Sequence, residues 1–177
     1  FLRTLSTGEL SFQDKVSSSD LAMVSSLAIS PDGSYLYASS QTSLLTFERH
    51  HQTGLLTLIS TLRLGKELPT SAGSLDKIRL SAAGYELYAI GSNDHLLSFT
   101  RNLVTGILSL REIIANNHDS VEDFSGLKDI LLTPDQDLIF VAASSNNLVS
   151  QITYAPQKGL LAIPSYGNDI SEYPGWI

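Results

Sequence analysis

The sequence contains no cysteine and no long hydrophobic run, and its basic residues are few and scattered. Without cysteine, the chain can form neither disulfides nor a thiolate metal site. No apolar stretch approaches the roughly 18 residues that a membrane-spanning helix needs, so we expect no membrane insertion. The 11 basic residues stand against 18 acidic ones, for a formal net charge of -7. This balance argues against nucleic acid or an anionic membrane as a partner.

The beginning of the chain also lacks two common features. It starts at Phe1, without Met and without a signal-peptide pattern. We therefore expect an excised or processed piece of a longer protein. A hydrophobic content of 42% over 177 residues is enough for one ordinary domain with a sizeable core.

One motif occurs four times along the chain, and it is the strongest signal in the sequence. Counted from a central glycine, each copy has an apolar residue seven positions before, Arg or Tyr five before, Leu two after and an apolar residue four after. The central glycines are Gly8, Gly54, Gly106 and Gly159. Repetition at intervals of about 50 residues indicates a repeat architecture such as a propeller.

A second repeated block precedes the glycine motif in three of the copies. It covers residues 27–38, 78–89 and 130–141, at offsets of 51 and 52 residues. In the first copy, the segment from Ser30 to Gly33 predicts a tight turn, because Pro presets φ, Asp bonds its own backbone and Gly accepts positive φ. The flanking apolar segments predict four short strands per unit, with His50 to Gly54 as the hairpin between the last two.

Four antiparallel strands per repeat predict an all-β fold and the blade of a β-propeller. The predicted ring is partial, with a half blade at 1–16, whole blades at 22–62, 75–114 and 126–163, and a tail at 164–177. These roughly three and a half four-stranded blades do not close a ring. We therefore expect a fragment of a larger propeller, completed by the remaining blades of a longer chain or by self-association through open blade faces. A β-sandwich is the structural alternative.

These repeats resemble those of a known family. The segment from Ser30 to Ala38, followed by Leu45–Arg49 and Thr53–Thr57, is similar to the repeat of bacterial lactonase-like seven-bladed β-propellers, which are related to 6-phosphogluconolactonases. The resemblance covers almost the whole chain. It implies the fold more strongly than the activity, because the matching residues belong to turns and strands.

The chain departs from the family where activity is concerned. Enzymatic members carry a Pro-Arg-His element at the start of the first strand of a blade, and the equivalent stretches here lack it. Lys77 and Lys128 keep a positive charge near that position, which makes them candidate ligands for an anionic substrate. In this respect the sequence resembles the tandem-repeat branch found in large exported or surface proteins.

The candidate catalytic residues lie in the connection between residues 115 and 126. His118 is a candidate general base, and Asp119 and Glu122 are candidate carboxylates beside it. Glu67 occupies the corresponding connection before the preceding blade, the one at 75–114. If these loops meet at one mouth of the channel, they form a site for chemistry or for a cation. An ordinary acidic surface loop is the alternative interpretation.

The remaining conspicuous residues have structural interpretations. Adjacent histidines such as His50 and His51 rarely form a two-ligand site, and no carboxylate completes a metal pattern. We expect no metal and no cofactor. The repeated arginines are expected to pair across strands with carboxylates such as Asp14 or Glu112; they are Arg3, Arg49 and Arg101. The tail aromatics are expected to cap the last blade or to bind a partner; they are Tyr166, Tyr173 and Trp176.

Two functions from different classes follow. The first is a non-catalytic propeller segment with a binding or structural role in an exported or surface-associated bacterial protein, with a small molecule or carbohydrate as ligand. The alternative is a lactone hydrolase related to 6-phosphogluconolactonase, with its site in the channel-mouth loops. We favour the first because no acid, base and nucleophile converge in the sequence. The expected location is extracellular, periplasmic or at the cell surface, with the cytoplasm as the alternative.

Overall fold

Short antiparallel strands make up most of the fold. The computed structural model describes residues 2–115, 125–134, 138–145, 147–155 and 159–162. Its strands, in chain order, are β1 (Leu2–Arg3), β2 (Leu10–Ser11), β3 (Ser26–Ile29), β4 (Tyr35–Ser39), β5 (Ser43–Arg49), β6 (Leu56–Arg63), β7 (Leu75–Leu80), β8 (Glu86–Gly91), β9 (His95–Arg101), β10 (Leu108–Ala115), β11 (Leu127–Leu132), β12 (Leu138–Ala143), β13 (Leu148–Ala155) and β14 (Gly159–Ala162). Two three-residue 3-10 turns lie in the connections, at Ser19–Leu21 and Thr70–Ala72.

The strands form one hairpin and three four-stranded sheets. Strands β1 and β2 pair with each other as the N-terminal hairpin. Blade I consists of β3–β6, blade II of β7–β10 and blade III of β11–β14, and in each blade the strands lie in chain order. Neighbouring blades contact each other through their first strands, β3 with β7 and β7 with β11. The predicted all-β fold and partial β-propeller are confirmed.

The turn between the first two strands of blade I has the conformation that its sequence predicts. Gly33 has a φ of 70° and donates its N–H to the Ser30 carbonyl over 2.8 Å. The Asp32 carboxylate accepts from the Ser30 hydroxyl at 2.5 Å and from the Ser34 amide at 3.0 Å. These hydrogen bonds hold the pKa of Asp32 below its ordinary value because they favour the charged carboxylate. Gly54, at the end of the next hairpin, also has a positive φ, of 75°.

Apolar side chains fill the space between neighbouring blades. Because side chains alternate along a strand, each blade sends one set towards the preceding blade, which we call its leading face, and one towards the following blade, its trailing face. The core between blades I and II includes Tyr37, Leu44, Ile78, Leu87 and Phe99. The core between blades II and III includes Ile90, Leu96, Ile130, Val141 and Ile152.

Candidate functional site

The structure places only some of the predicted site residues. His118, Asp119 and Glu122 lie outside the residues that the structure describes, as do the tail aromatics Tyr166, Tyr173 and Trp176. Their roles stay predictions.

Lys77 and Lys128 lie on the first strands of blades II and III. Lys77 pairs with Ile90, whereas Lys128 is skipped at a β-bulge between Leu127 and Asp129. The two lysines therefore occupy repeat positions one residue apart. Aspartate takes each lysine's place in the other blade, at Asp129 and Asp76. Charges of both signs thus stand on these neighbouring strands.

The charge on these strands is partly compensated. Arg79 of blade II donates to Asp129 of blade III over 3.1 Å, in an exposed ion pair that joins the two blades. Asp76 accepts a hydrogen bond from the Ser74 hydroxyl at 2.8 Å. Such exposed pairs contribute little to stability. Lys77 and Lys128 remain the candidate ligands for an anion on these strands.

His50 and His51 interact with nearby loop groups. The Nδ1 atom of His50 lies 3.0 Å from the Thr53 hydroxyl, and Nε2 of His51 lies 3.1 Å from the Ser34 hydroxyl. Both histidines are exposed. Among the described residues, no three His, Asp or Glu side chains are grouped so that they could hold a metal ion. None of the helices in this part of the chain is long and apolar enough to cross a membrane.

Glu67 acts within its own loop. Its carboxylate accepts from the Lys66 ammonium at 2.9 Å and from the Arg63 amide at 3.0 Å. These two interactions lower the pKa of Glu67 to about 2. The carboxylate is thus engaged in closing the turn between blades I and II.

An acid titration tests this role of Glu67. Because its folded pKa lies below the ordinary value of 4.5, its contribution to stability is present above about pH 4.5 and is lost as pH falls towards 2. We expect an NMR titration of the Glu67 side chain to give a midpoint near 2, and Glu67→Gln to remove this part of the acid dependence. A midpoint near 4.5 would contradict the turn-closing role.

The arginine of the repeated motif lies between two blades. The Arg101 side chain is only 2% exposed. Its Nη1 donates to the Gly84 carbonyl of its own blade at 3.1 Å, and its Nε donates to the Tyr37 hydroxyl of blade I at 2.7 Å. The Asp32 carboxylate lies 3.7 Å from Nη2, and the guanidinium carbon lies 5.2 Å from the centre of the Tyr35 ring, within the range of cation–π interactions. Arg101 therefore joins blade II to blade I.

Two tyrosines of blade I complete this contact. Tyr35 donates to the Val104 carbonyl at 2.5 Å, and Tyr37 donates to the Gly106 carbonyl at 2.8 Å. Burial raises the pKa of Tyr37, which keeps its hydroxyl protonated as a donor. Gly106 lies so close to the Tyr35 ring that a Cβ atom would overlap the ring. We call Gly84, Arg101 and Gly106 the blade II socket.

These contacts correct the predicted role of the arginines. Arg101 pairs with Asp32 of the neighbouring blade and not with Glu112, because its side chain points out of its own sheet into the space between blades. Arg3 and Arg49 form no ion pair within the part of the chain that the structure describes. The expected pairing of the repeated arginines with Asp14 or Glu112 is therefore wrong.

Blade I has the same socket, and no strand in the described part of the chain fills it as β4 fills the blade II socket. Its equivalent residues are Gly33, Arg49 and Gly54, and Arg49 Nη1 donates to the Gly33 carbonyl at 3.1 Å, as Arg101 does to Gly84. Apart from its own and its chain neighbours' atoms, no atom of the described residues lies within 4 Å of a Cβ placed on Gly54. A cavity of about 290 Å³ adjoins Arg49 and Gly54, and residues 13–16 contribute to its lining. We call Gly33, Arg49 and Gly54 the blade I socket.

Apolar residues are also exposed at both ends of the three-blade row. Leu27 on the leading face of blade I is 58% exposed, whereas its equivalents Ile78 and Ile130 are 0% and 2% exposed inside the row. Val149 on the trailing face of blade III is 56% exposed, whereas its equivalents Leu44 and Leu96 are 1% and 0% exposed. The same repeat position is therefore core inside the row and surface at its ends.

The fold is similar to that of solved β-propeller structures, lactonases among them. A Lactobacillus plantarum protein aligns with a TM-score of 0.73 at 22% identity, over 89% of this chain and 46% of its own. The periplasmic gluconolactonase PpgL of Pseudomonas aeruginosa aligns with a TM-score of 0.62 at 21% identity, over 78% of this chain and 38% of its own. A Bacteroides uniformis protein with a suggested 6-phosphogluconolactonase activity aligns with a TM-score of 0.65 at 19% identity, over 89% and 46%.

The chain therefore spans less than half the length of each of these structures. At such identities the similarity shows the fold and not the activity. No protein-family model and no curated protein sequence matches the chain.

The sequence does not reveal the residues that link the blades. Tyr35 and Tyr37 are residue types that suit a β-strand, and Pro31 and Asp32 are residue types that suit a turn. Local structure thus accounts for all four, and nothing further in the sequence indicates that they contact the next blade. One signal was available: the two tyrosines are two positions apart, which puts both on the same face of a strand. The repeated Arg of the following blade is a hydrogen-bond donor for a tyrosine hydroxyl on that face.

Proposed function

We propose that this chain is a non-catalytic β-propeller segment with a binding or structural role, which works by packing its outer blade faces against further blades. The exposure of Leu27 supports this proposal, because the equivalent Ile78 is fully covered by blade I. Exposed apolar faces of this kind mark interaction surfaces. An exported or surface-associated bacterial protein remains the proposed setting, with a small molecule or carbohydrate as ligand.

The use of the repeated polar residues also supports a non-catalytic role. Arg101 is occupied by a turn carbonyl and a tyrosine hydroxyl, and Asp32 by its own turn and by that arginine. A catalytic group needs access to substrate. These repeat residues instead hold blades together.

An assay for lactone hydrolysis tests this proposal. The purified chain is incubated with a panel of sugar lactones, and acid release is followed at constant pH beside a His118→Ala variant. We expect both proteins to release acid at the spontaneous rate. Hydrolysis above that rate by the unmodified chain, lost in His118→Ala, would contradict a non-catalytic role.

A lactone hydrolase is the second candidate function, and the lactonase-like fold favours it. In this proposal His118, with Asp119 or Glu122, activates water, and Lys77 or Lys128 steers an anionic lactone. The assay above distinguishes the two functions. Lys77→Ala and Lys128→Ala would raise KM for anionic lactones more than for neutral ones if the lysines bind substrate.

A further inference from the structure

We infer that the blade I socket binds one particular partner: a further blade of this repeat that carries the sequence Pro-Asp-x-x-Tyr-x-Tyr. This inference rests on the proposed function, and it names the partner that the leading face of blade I takes. The contact between blades I and II supplies the pattern, because there the same sequence of blade I, residues 31–37, occupies the blade II socket.

The blade I socket is formed before any partner arrives. Gly33 and Gly54 have φ values of 70° and 75°, and Gly84 and Gly106 have 75° and 70°. Arg49 is already fixed by its hydrogen bond to the Gly33 carbonyl. A partner therefore meets a glycine surface and an arginine that are in the conformation found in the occupied socket. Such preorganisation reduces the entropy lost on binding.

The chemistry of the socket selects its occupant. In the occupied socket, a tyrosine ring covers Gly106 and a second tyrosine hydroxyl accepts from Arg101 Nε. A proline ring packs on Gly84, and an aspartate lies beside the guanidinium. By equivalence, the occupant of the blade I socket places one aromatic ring over Gly54 and a hydroxyl at Arg49 Nε. A Tyr-x-Tyr strand that follows Pro-Asp after two residues meets all these requirements.

Blade III of a second copy of this chain meets them only in part. Its residues at the two tyrosine positions are Leu138 and Phe140, which carry no hydroxyl. Arg49 would then lose water at Nε without gaining an acceptor, and such unpaired buried donors are costly. A second copy is therefore a weaker partner than a blade with both tyrosines.

Two exposed apolar side chains of blade I fit the same occupant. Leu27 and Ile29 lie exposed on β3. Of their equivalents on β7, Ile78 is buried and Leu80 is partly buried, and both pack in the core between blades I and II. A blade on the leading face of blade I would cover Leu27 and Ile29 in the same way.

The inference is tested by giving blade III the missing hydroxyls. In the double variant Leu138→Tyr/Phe140→Tyr, the trailing face of one copy carries the tyrosine pair for the blade I socket of another. We expect the dissociation constant for self-association, measured by sedimentation velocity, to fall at least about tenfold below that of the unmodified chain. Circular dichroism confirms that each variant is folded.

Variants of Arg49 show whether the socket is responsible. Arg49→Ala and Arg49→Lys, each added to the double variant, are expected to abolish the gain, because neither offers a guanidinium Nε. Lys66→Ala, which removes a cation outside the socket, is expected to leave the gain unchanged. No gain in a folded double variant, or a gain that survives both Arg49 substitutions, would overturn the inference. Neither result would alter the lactone assay, which tests the proposed function separately.

Discussion

Arg101→Ala is expected to lower the free energy of unfolding by about 2–4 kcal/mol, because it removes two hydrogen bonds that involve a buried charge. The Gly84 carbonyl and the Tyr37 hydroxyl each lose a charged donor. The variant also avoids the cost of dehydrating the guanidinium on folding, which offsets part of this loss. The contact between blades I and II is therefore expected to weaken.

Arg49→Ala is the matched control for this substitution. It removes the same residue type from the same repeat position, but Arg49 is only partly buried and donates to one turn carbonyl, that of Gly33. We expect a loss of about 1 kcal/mol or less. Urea unfolding followed by circular dichroism measures both values. Equal losses for the two variants would show that the contact between blades contributes nothing at Arg101.

The pair of variants also separates two explanations of the repeated arginine. If its role were only to close the turn of its own blade, Arg49 and Arg101 would be equivalent, since both donate to a turn glycine at 3.1 Å. The two arginines differ in the side chains that the preceding blade places against them. Tyr37 and Asp32 face Arg101, whereas only the two-stranded N-terminal hairpin, and no complete blade, precedes Arg49 among the described residues.

Turn chemistry and strand pattern are local properties, which is why the fold was predictable from the sequence. The segment from Ser30 to Gly33 and the hairpin ending at Gly54 both have the conformations that their residues favour. Repetition at about 50 residues then implied stacked blades. Contacts between blades depend on how successive sheets are stacked, which no local pattern contains. The sequence therefore predicted that Arg101 pairs with a carboxylate on its own sheet. Its actual partner, Asp32, is 69 positions earlier in the chain.

The candidate site was harder to predict for a related reason. Lys77 lies two positions after the leucine that begins β7, whereas Lys128 lies one position after the leucine that begins β11. A β-bulge in each strand changes which residue faces which neighbour, so this difference of one residue alters the placement of the charge. An alignment of the repeats matches Lys77 with Asp129 and so shows that the two lysines are not equivalent. The presence of a lysine in each blade does not show this.

Gly106→Ala is expected to cost about 3–4 kcal/mol, as the sum of backbone strain and a clash with the next blade. Gly106 has a φ of 70°, where a side chain is strained, and a Cβ there would displace the Tyr35 ring. Gly54→Ala carries the same strain at a φ of 75° with nothing to displace, so about 1–2 kcal/mol is expected. Urea unfolding of both variants measures the difference.

A double-mutant cycle shows whether this difference arises from Tyr35. In a Tyr35→Ala background the ring above residue 106 is absent, so Gly106→Ala is expected to cost about as much as Gly54→Ala, that is, about 1–2 kcal/mol. Tyr35→Ala alone also removes the hydrogen bond to the Val104 carbonyl, and the cycle subtracts that effect. If Gly106→Ala cost the same with and without Tyr35, the ring would not be packed on this glycine. The model of the blade I socket would then lose its basis, because Gly54 is assigned to that socket by its equivalence to Gly106.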